Sequence, residues 1–382
     1  LNSNWPCFEE DEINAVGNVL KSGKVNYWTG KECKAFEKEF AAYSETKYAI
    51  SLANGTLALE LALLACGIGA GDEVITTCRT FLASASSIVK VGAIPVIADV
   101  DLNTQNISLD TIKPMISKKT KAIICVHLAG YPCDMDEIMN FTTQKQLYVI
   151  EDCAQAHGAI YKEKKVGSIG HIGCFSFCQD KIMTTGGEGG MVVTNEEILW
   201  RKMWAYKDHG KDFDTVFKKK HLAGFRWLHQ SFGSNYRMTE MQAAIGRLQL
   251  SKLEKWNSVR TINSEILKAV LSRLSFITIP KYEIYCRHAY YKFYVFFNSD
   301  KAPKNITRDS LIEMFVQHGL FCMQGSCFNI TYEDAFKQFP DEYKKELTNA
   351  NLLGQSSIMF LVDHTISYSE IELNKIIKSL NF

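Results

Sequence analysis

The chain has 382 residues, too many for one simple core, so two domains are expected. Its 43 Lys and Arg against 42 Asp and Glu leave a net charge of +1, which argues against a broad surface for nucleic acid or anionic membrane. No apolar run is long enough to span a bilayer. The first residues, Leu1 to Pro6, lack the basic-then-apolar order of a signal peptide, and the missing initial Met points to a few absent residues. The 12 cysteines are scattered without a Cys-x-x-Cys pair. Cys66, Cys125, Cys153 and Cys174 lie in apolar runs, where a thiol behaves as a small hydrophobe. Cys174 and Cys178 have no matching His or Cys pair for zinc, so no metal is expected. Reduced thiols suit a cytoplasmic protein.

Residues 8–22 predict an amphipathic helix, with Glu9, Glu10 and Asp11 where the helix dipole favours acids. Residues 22–30 predict a loop with exposed aromatics, Tyr27 and Trp28, and 32–43 a second helix. A strand over 48–52 meets Ala53-Asn54-Gly55-Thr56, where a largely buried helix begins. Free N–H groups at such a helix start can hold a phosphate, although a plain strand-to-helix turn reads the same way. Strands follow at 74–77, 94–100, 122–127 and 147–150, alternating with helices at 84–91, 108–115 and 134–145. This alternation predicts an α/β domain with a mostly parallel sheet and sites at the carboxyl ends of its strands. A helix over 196–210 precedes a polar, basic and aromatic stretch, 211–231. Its Lys218-Lys219-Lys220 reads as a solvated loop or as a contact for a nucleotide diphosphate. Thr239 is a candidate cap for a helix over 241–253. Beyond residue 255 the pattern changes to a long helix at 251–274, an aromatic strand at 289–297, a helix at 307–317, a short strand, and a last helix at 369–379. The expected division is a large α/β domain, 1–255, and a smaller α+β domain, 256–382.

Two stretches carry chemistry. In Cys174-Phe175-Ser176-Phe177-Cys178-Gln179-Asp180-Lys181 an apolar run ends at a lone lysine, and Gly186-Gly187-Glu188-Gly189-Gly190 follows. Desolvation lowers an amine's pKa and makes it a Schiff-base nucleophile, while a loop lysine beside turn glycines gives the same letters. In Val149-Ile150-Glu151-Asp152-Cys153-Ala154-Gln155 a buried run ends in an acidic pair. A carboxylate there can keep a pyridinium nitrogen protonated, and lysine with aspartate is the arrangement that pyridoxal phosphate (PLP) uses. His127, His157 and His171 read as structural.

The chain resembles the DegT/DnrJ/EryC1/StrS family of PLP-dependent sugar aminotransferases. The resemblance is carried by Ala53-Asn54-Gly55-Thr56-Leu57, Gly71-Asp72-Glu73-Val74-Ile75, Glu151-Asp152-Cys153-Ala154-Gln155, Phe175-Ser176-Phe177 with Lys181, Gly187-Glu188-Gly189-Gly190 and Asn235-Tyr236-Arg237-Met238, in family order. It implies the type I fold of aspartate aminotransferase, with Lys181 as catalytic Schiff-base residue and Asp152 on the ring nitrogen. It also implies phosphate contacts from Gly55, Thr56 and Ser176, stacking by Phe81, and Gln155 near the 3′-oxygen. Tyr27, Trp28 and Glu188 would meet the sugar. Asn235 would reach the cofactor phosphate of a neighbouring subunit and Arg237 the amino donor's carboxylate there, so a homodimer with shared sites is implied. Residues 321–327 depart from the family's Pro-Leu-His-like segment, which puts substrate contacts from the small domain in doubt.

The resulting expectation is transfer of an amino group from L-glutamate to a nucleotide-linked keto sugar (GDP, dTDP or UDP), a 4-keto-6-deoxyhexose by preference and a 3-keto sugar otherwise. The product would serve surface polysaccharide or glycoside synthesis. A nicotinamide enzyme would need Gly-x-Gly-x-x-Gly after the first strand, which is absent. A PLP-fold regulator or scaffold is the remaining alternative.

Overall fold

The computed structural model describes residues 2–220, 226–325, 328–340, 343 and 347–380. Parts of two expected segments, 221–225 and 326–327, lie outside the described residues. Near the N-terminus, α1 (Glu10–Ser22) opens on a capping box between Glu9 and Glu12 and stops at Gly23, whose φ of 67° is left-handed. Helix α2 (Glu32–Tyr43) follows, and both pack on a later long helix.

A seven-stranded sheet follows. Its strands are β1 (Tyr48–Leu52), β2 (Glu73–Thr77), β3 (Ile94–Ala98), β4 (Thr120–Val126), β5 (Tyr148–Asp152), then Ile172–Ser176 and Gly190–Thr194. Their spatial order is β1, Gly190–Thr194, Ile172–Ser176, β5, β4, β2, β3. Only Gly190–Thr194 runs against its neighbours; the other six strands point one way. The middle strands are nearly continuous apolar runs because helices cover both faces. Register brings Leu52 opposite Gly190, Ser176 opposite Gly190, and Asp152 opposite both Val126 and Cys174. The carboxyl ends of four strands therefore meet at one edge.

Between β1 and β2, α3 (Gly55–Ala65) is held at its start by Asn54, whose Oδ1 accepts the Leu57 N–H at 2.9 Å. Its leucines pack on Ile50, Ile124, Ile150 and Val192. After β2, α4 (Ala83–Lys90) lies beside α3.

The C-terminal part is a four-stranded antiparallel sheet, in the order Ile277–Thr278, Phe293–Phe297, Ser357–Phe360, Cys322–Met323. The two helices expected over 241–253 and 251–274 are one, Glu240–Leu271, capped by Thr239. It crosses the expected division at 255/256 without a break. Ala243, Leu253 and Trp256 join one hydrophobic cluster, and Leu267, Val270 and Leu271 another. The aromatic strand begins at Phe293, later than expected, because Tyr290 takes a left-handed φ of 48°. Within the polar stretch, Phe213–Phe217 forms a short helix, since Phe213 and Phe217 have Trp204 to pack against. Lys218 pairs with Asp214, and all three lysines are exposed.

Candidate active site

At the shared sheet edge lies a cavity of about 590 Å³, lined by Gly55, Thr56, Phe81, Asp152, Gln155, Ser176, Lys181 and Glu188 among others. These residues come from five separate stretches of sequence, and the strand register is what converges them.

Asp152 ends β5 and is buried. One carboxylate oxygen accepts the Ser84 hydroxyl at 2.8 Å, and the other the Ala154 N–H at 3.1 Å. Burial pushes its pKa up, and the bond from Ser84 draws it partly back. It has no ion pair among the described residues. Its neighbour Glu151 faces the opposite side of the sheet. There it accepts the N–H groups of Gly167, Ile169 and Gly170 at 2.8, 2.8 and 2.6 Å and pairs with His127 at 3.0 Å. That saturated network fixes the end of β5, and it accounts for His127 as a packed residue.

Lys181 projects into the cavity with its side chain 16% exposed. Its amine lies 3.3 Å from the Asp180 carboxylate and 5.1 Å from the Tyr291 ring. Its backbone oxygen accepts the Trp5 indole N–H at 2.9 Å, which ties the N-terminal segment to the site. Burial would raise the Asp180 carboxyl, but Lys181 and the Tyr291 hydroxyl outweigh it, and its pKa falls below the ordinary value.

The start of α3 faces Ser176. A Cβ on Gly55 would lie 2.5 Å from the Ser176 Cβ, so only glycine lets the helix start approach this strand. The free N–H groups of that first turn and the Ser176 hydroxyl form a cradle for an anion. Phe81 is 69% exposed, an apolar ring standing over the cavity. Gln155 Oε1 accepts the Ala129 N–H at 2.7 Å, which leaves its amide N–H₂ free to donate to a ligand.

Tyr27 and Trp28 do not line this cavity, and the expected loop of exposed aromatics is not found. Tyr27 is buried. Its hydroxyl donates to Glu37 at 3.2 Å, and the Lys207 amine sits 3.6 Å over its ring. Trp28 stacks on Phe217, with the Lys211 amine 4.2 Å over it. Both aromatics turned inward because α2 and the Trp204 helix offer them an apolar and cationic seat. Asn235 and Arg237 lie outside the cavity of their own chain as well. Bridges to Asp208 and Leu52 hold this motif, Asn235 is exposed, and Arg237 pairs with Asp208 at 2.6 Å. Sequence reading missed Ser84, Asp180 and Tyr291. Ser84 had a signal in its place one turn beyond Phe81 at a strand's carboxyl end. Tyr291 had none, being 111 residues from its partner Asp180.

The donor set fits a phosphorylated pyridine aldehyde. It offers an amine for the aldehyde, an unpaired buried carboxyl for a ring N–H, a helix-start cradle for the phosphate, and a ring to cover one face.

Comparison with known proteins agrees with this fit. The DegT/DnrJ/EryC1/StrS aminotransferase family matches residues 6–380. The crystal structure of an aminotransferase from Psychrobacter cryohalolentis is 51% identical, covers 99% of this chain and 98% of its own, and superposes with a TM-score of 0.96. GDP-perosamine synthase of Escherichia coli O157:H7 is 40% identical over 269 residues, 70% of this chain and 67% of that protein. DesV of S. venezuelae is 28% identical with a TM-score of 0.84, covering 97% and 93% of the two chains. The chain belongs to the DegT/DnrJ/EryC1/StrS family and is a PLP-dependent sugar aminotransferase.

Proposed function

We propose that the enzyme transfers the amino group of L-glutamate to a GDP-linked 4-keto-6-deoxyhexose. The likeness to GDP-perosamine synthase supports the nucleotide and the sugar class. The observation that carries the chemistry is Asp152, a buried carboxyl without an ion pair among the described residues, in one cavity with Lys181.

Bound PLP supplies an electron sink that stabilises negative charge at the donor's Cα. The chain's residues do the rest. Asp152 holds the proton on the ring nitrogen. Gly55, Thr56 and Ser176 grip the phosphate through N–H and hydroxyl donors. Phe81 covers one ring face, and Gln155 donates towards the 3′-oxygen. The Lys181 amine, once released, takes the proton from the donor's Cα as general base. Asn235 of a second copy completes the phosphate site, and Glu188 at the cavity wall meets the sugar. The aromatic seat of Tyr27 and Trp28 gives those two a structural part in their own chain. No helix among the described residues is long and apolar enough to cross a membrane.

The test is the visible spectrum of the purified protein before and after L-glutamate, followed by GDP-, dTDP- and UDP-linked keto sugars. The expected result is a yellow protein that bleaches with glutamate and recovers its colour with the GDP-linked 4-keto sugar. Lys181→Ala should lose both colour change and turnover. Recovery with only a dTDP- or UDP-linked sugar would overturn the nucleotide assignment, and colour that glutamate leaves untouched would overturn the donor.

A further inference from the structure

A second cavity of about 510 Å³ adjoins the first, and Asp180 lines both. Its wall combines Ser3 and Trp5 of the N-terminal segment, Arg260 of the long helix, Lys292, and Asp363 of the small domain. It is where the two domains and the N-terminal segment meet beside Lys181.

Among the described residues, two cations in this wall make no direct ion pair, although Asp180 and Asp363 share the wall. Arg260 is only 2% exposed. Its Nη1 donates to the carbonyls of Tyr290 and Tyr291 at 3.2 and 3.4 Å, and its Nε has no hydrogen-bond partner. The carboxylate nearest in charge, Asp363, instead accepts the Thr365 N–H and hydroxyl at 3.1 and 2.5 Å. Lys292 makes no ion pair among the described residues; its amine rests 4.7 Å from the Tyr291 ring. Burial, with Arg260 close by, presses its pKa down to about 8. Asp363 acts on both cations, and Asp180 on Lys292, without a hydrogen bond to either, so part of the desolvation cost remains, which an arriving carboxylate would relieve. The opposite pole is Asp180, whose carboxylate sits 3.3 Å from the very amine that an amino donor must displace.

We propose that this second cavity seats the amino donor as a zwitterion, its carboxylate on Arg260 and Lys292 and its ammonium at Asp180. The assignment rests on the aminotransferase reading with L-glutamate as donor. The mixed lining is selective. A sugar diphosphate has no cation to offer Asp180, whereas the ammonium and α-carboxylate of an amino acid match both poles. Arg237, engaged by Asp208 at 2.6 Å, lies outside both cavities of its own chain and would reach a donor carboxylate only in a neighbouring subunit's site.

The experiment is a titration of the PLP-loaded enzyme with L-glutamate, in the absence of keto sugar, reading the loss of visible absorption. Lys292→Met is expected to raise the half-saturating glutamate concentration about tenfold or more, equal to about 1.4 kcal/mol, with the spectrum before glutamate unchanged. Lys292→Arg, which keeps the charge, should restore most of the loss. Arg260→Lys should weaken glutamate similarly; Lys292→Met keeps the idea falsifiable should that buried variant fail to fold. Saturation by glutamate as in the parent enzyme in Lys292→Met would overturn the assignment. So would a rise in Arg237→Lys with none in Lys292→Met, which would return the carboxylate to Arg237. A parent enzyme that glutamate does not bleach would sink the donor reading itself, and the seat with it.

Discussion

Asp152 shows how much one side chain's surroundings decide. Its oxygens are met by a hydroxyl and an N–H, not by a cation, so burial leaves the carboxyl above its ordinary pKa. A ring N–H placed against it would gain a charge-assisted bond in a low-dielectric site, where such bonds are strongest. Asp152→Asn keeps the shape and removes the charge. Its expected outcome is retention of bound PLP with kcat/KM lowered about 10²-fold or more, the scale of losing one preorganised electrostatic partner. Steady-state kinetics beside a cofactor-content assay would check this, and a fall below tenfold would mean that Asp152 is not the ring's partner. The pairing of Lys181 and Asp152 was legible in the sequence because each closes an apolar run. The Ser84 bond that tunes Asp152 was not, since a serine on a helix carries no mark of what it faces.

Among the elements, the junction of β1, α3 and the Ile172–Ser176 and Gly190–Thr194 strands is the tightest part of the site. A Cβ at Gly55 would strike Ser176, and one at Gly190 would lie 2.3 Å from the Asn54 carbonyl oxygen. Gly55→Ala should therefore push the start of α3 off the strand, at an overpacking cost of about 1–3 kcal/mol. PLP affinity is expected to weaken about tenfold or more, because the same N–H groups form the phosphate cradle. Gly17→Ala is the contrast. It sits inside α1 with nothing within 4 Å of the new Cβ, and should leave PLP affinity alone while slightly stabilising the helix. Equilibrium dialysis with thermal melts separates the two, and equal PLP affinity in both variants would refute the cradle. The order of strands and helices from 48 to 150 was legible because strands covered on both faces read as unbroken apolar runs between glycine turns. What failed depended on distant partners. Tyr27 and Trp28 read as exposed until Trp204 and Phe217 are known to lie over them. The helix Thr348–Ser356 has too weak an apolar pattern to announce itself, and Glu240–Leu271 looked like two helices because its buried face passes from one apolar cluster to another midway.

Across the whole molecule, two buried histidines couple folding to pH. His157 lies among Phe175 and Phe177, and His288 stacks on Tyr290; burial holds each pKa down to about 3. The unfolded chain titrates near 6.5, so below that value it binds protons that the folded chain does not. Stability is then full above pH 6.5 and falls as pH drops towards 3, by about 2 kcal/mol per histidine at pH 5. Urea midpoints at pH 7 and pH 5 would show it, and an equal or higher midpoint at pH 5 would contradict the burial of these rings. The larger question at this scale is whether one chain holds a complete site. Asn235 is exposed and outside its own cavity, and the segment leading to it presents Trp227 at 90% and Phe232 at 100% exposure. Large apolar residues left bare beside a recognisable phosphate motif are what a covering second copy would explain. If sites are shared, Lys181→Ala and Asn235→Ala should each be nearly inactive alone. In a mixed dimer, the Lys181 of one chain meets the intact Asn235 of the other and forms one working site. Random re-association of equal amounts makes half the dimers mixed, each with one site of two, so about a quarter of parent activity should return. Differential tags would establish that mixed dimers form. With those dimers present and no activity regained, or with Asn235→Ala fully active by itself, each chain would have to complete its own phosphate site, and the exposed aromatics would need another partner.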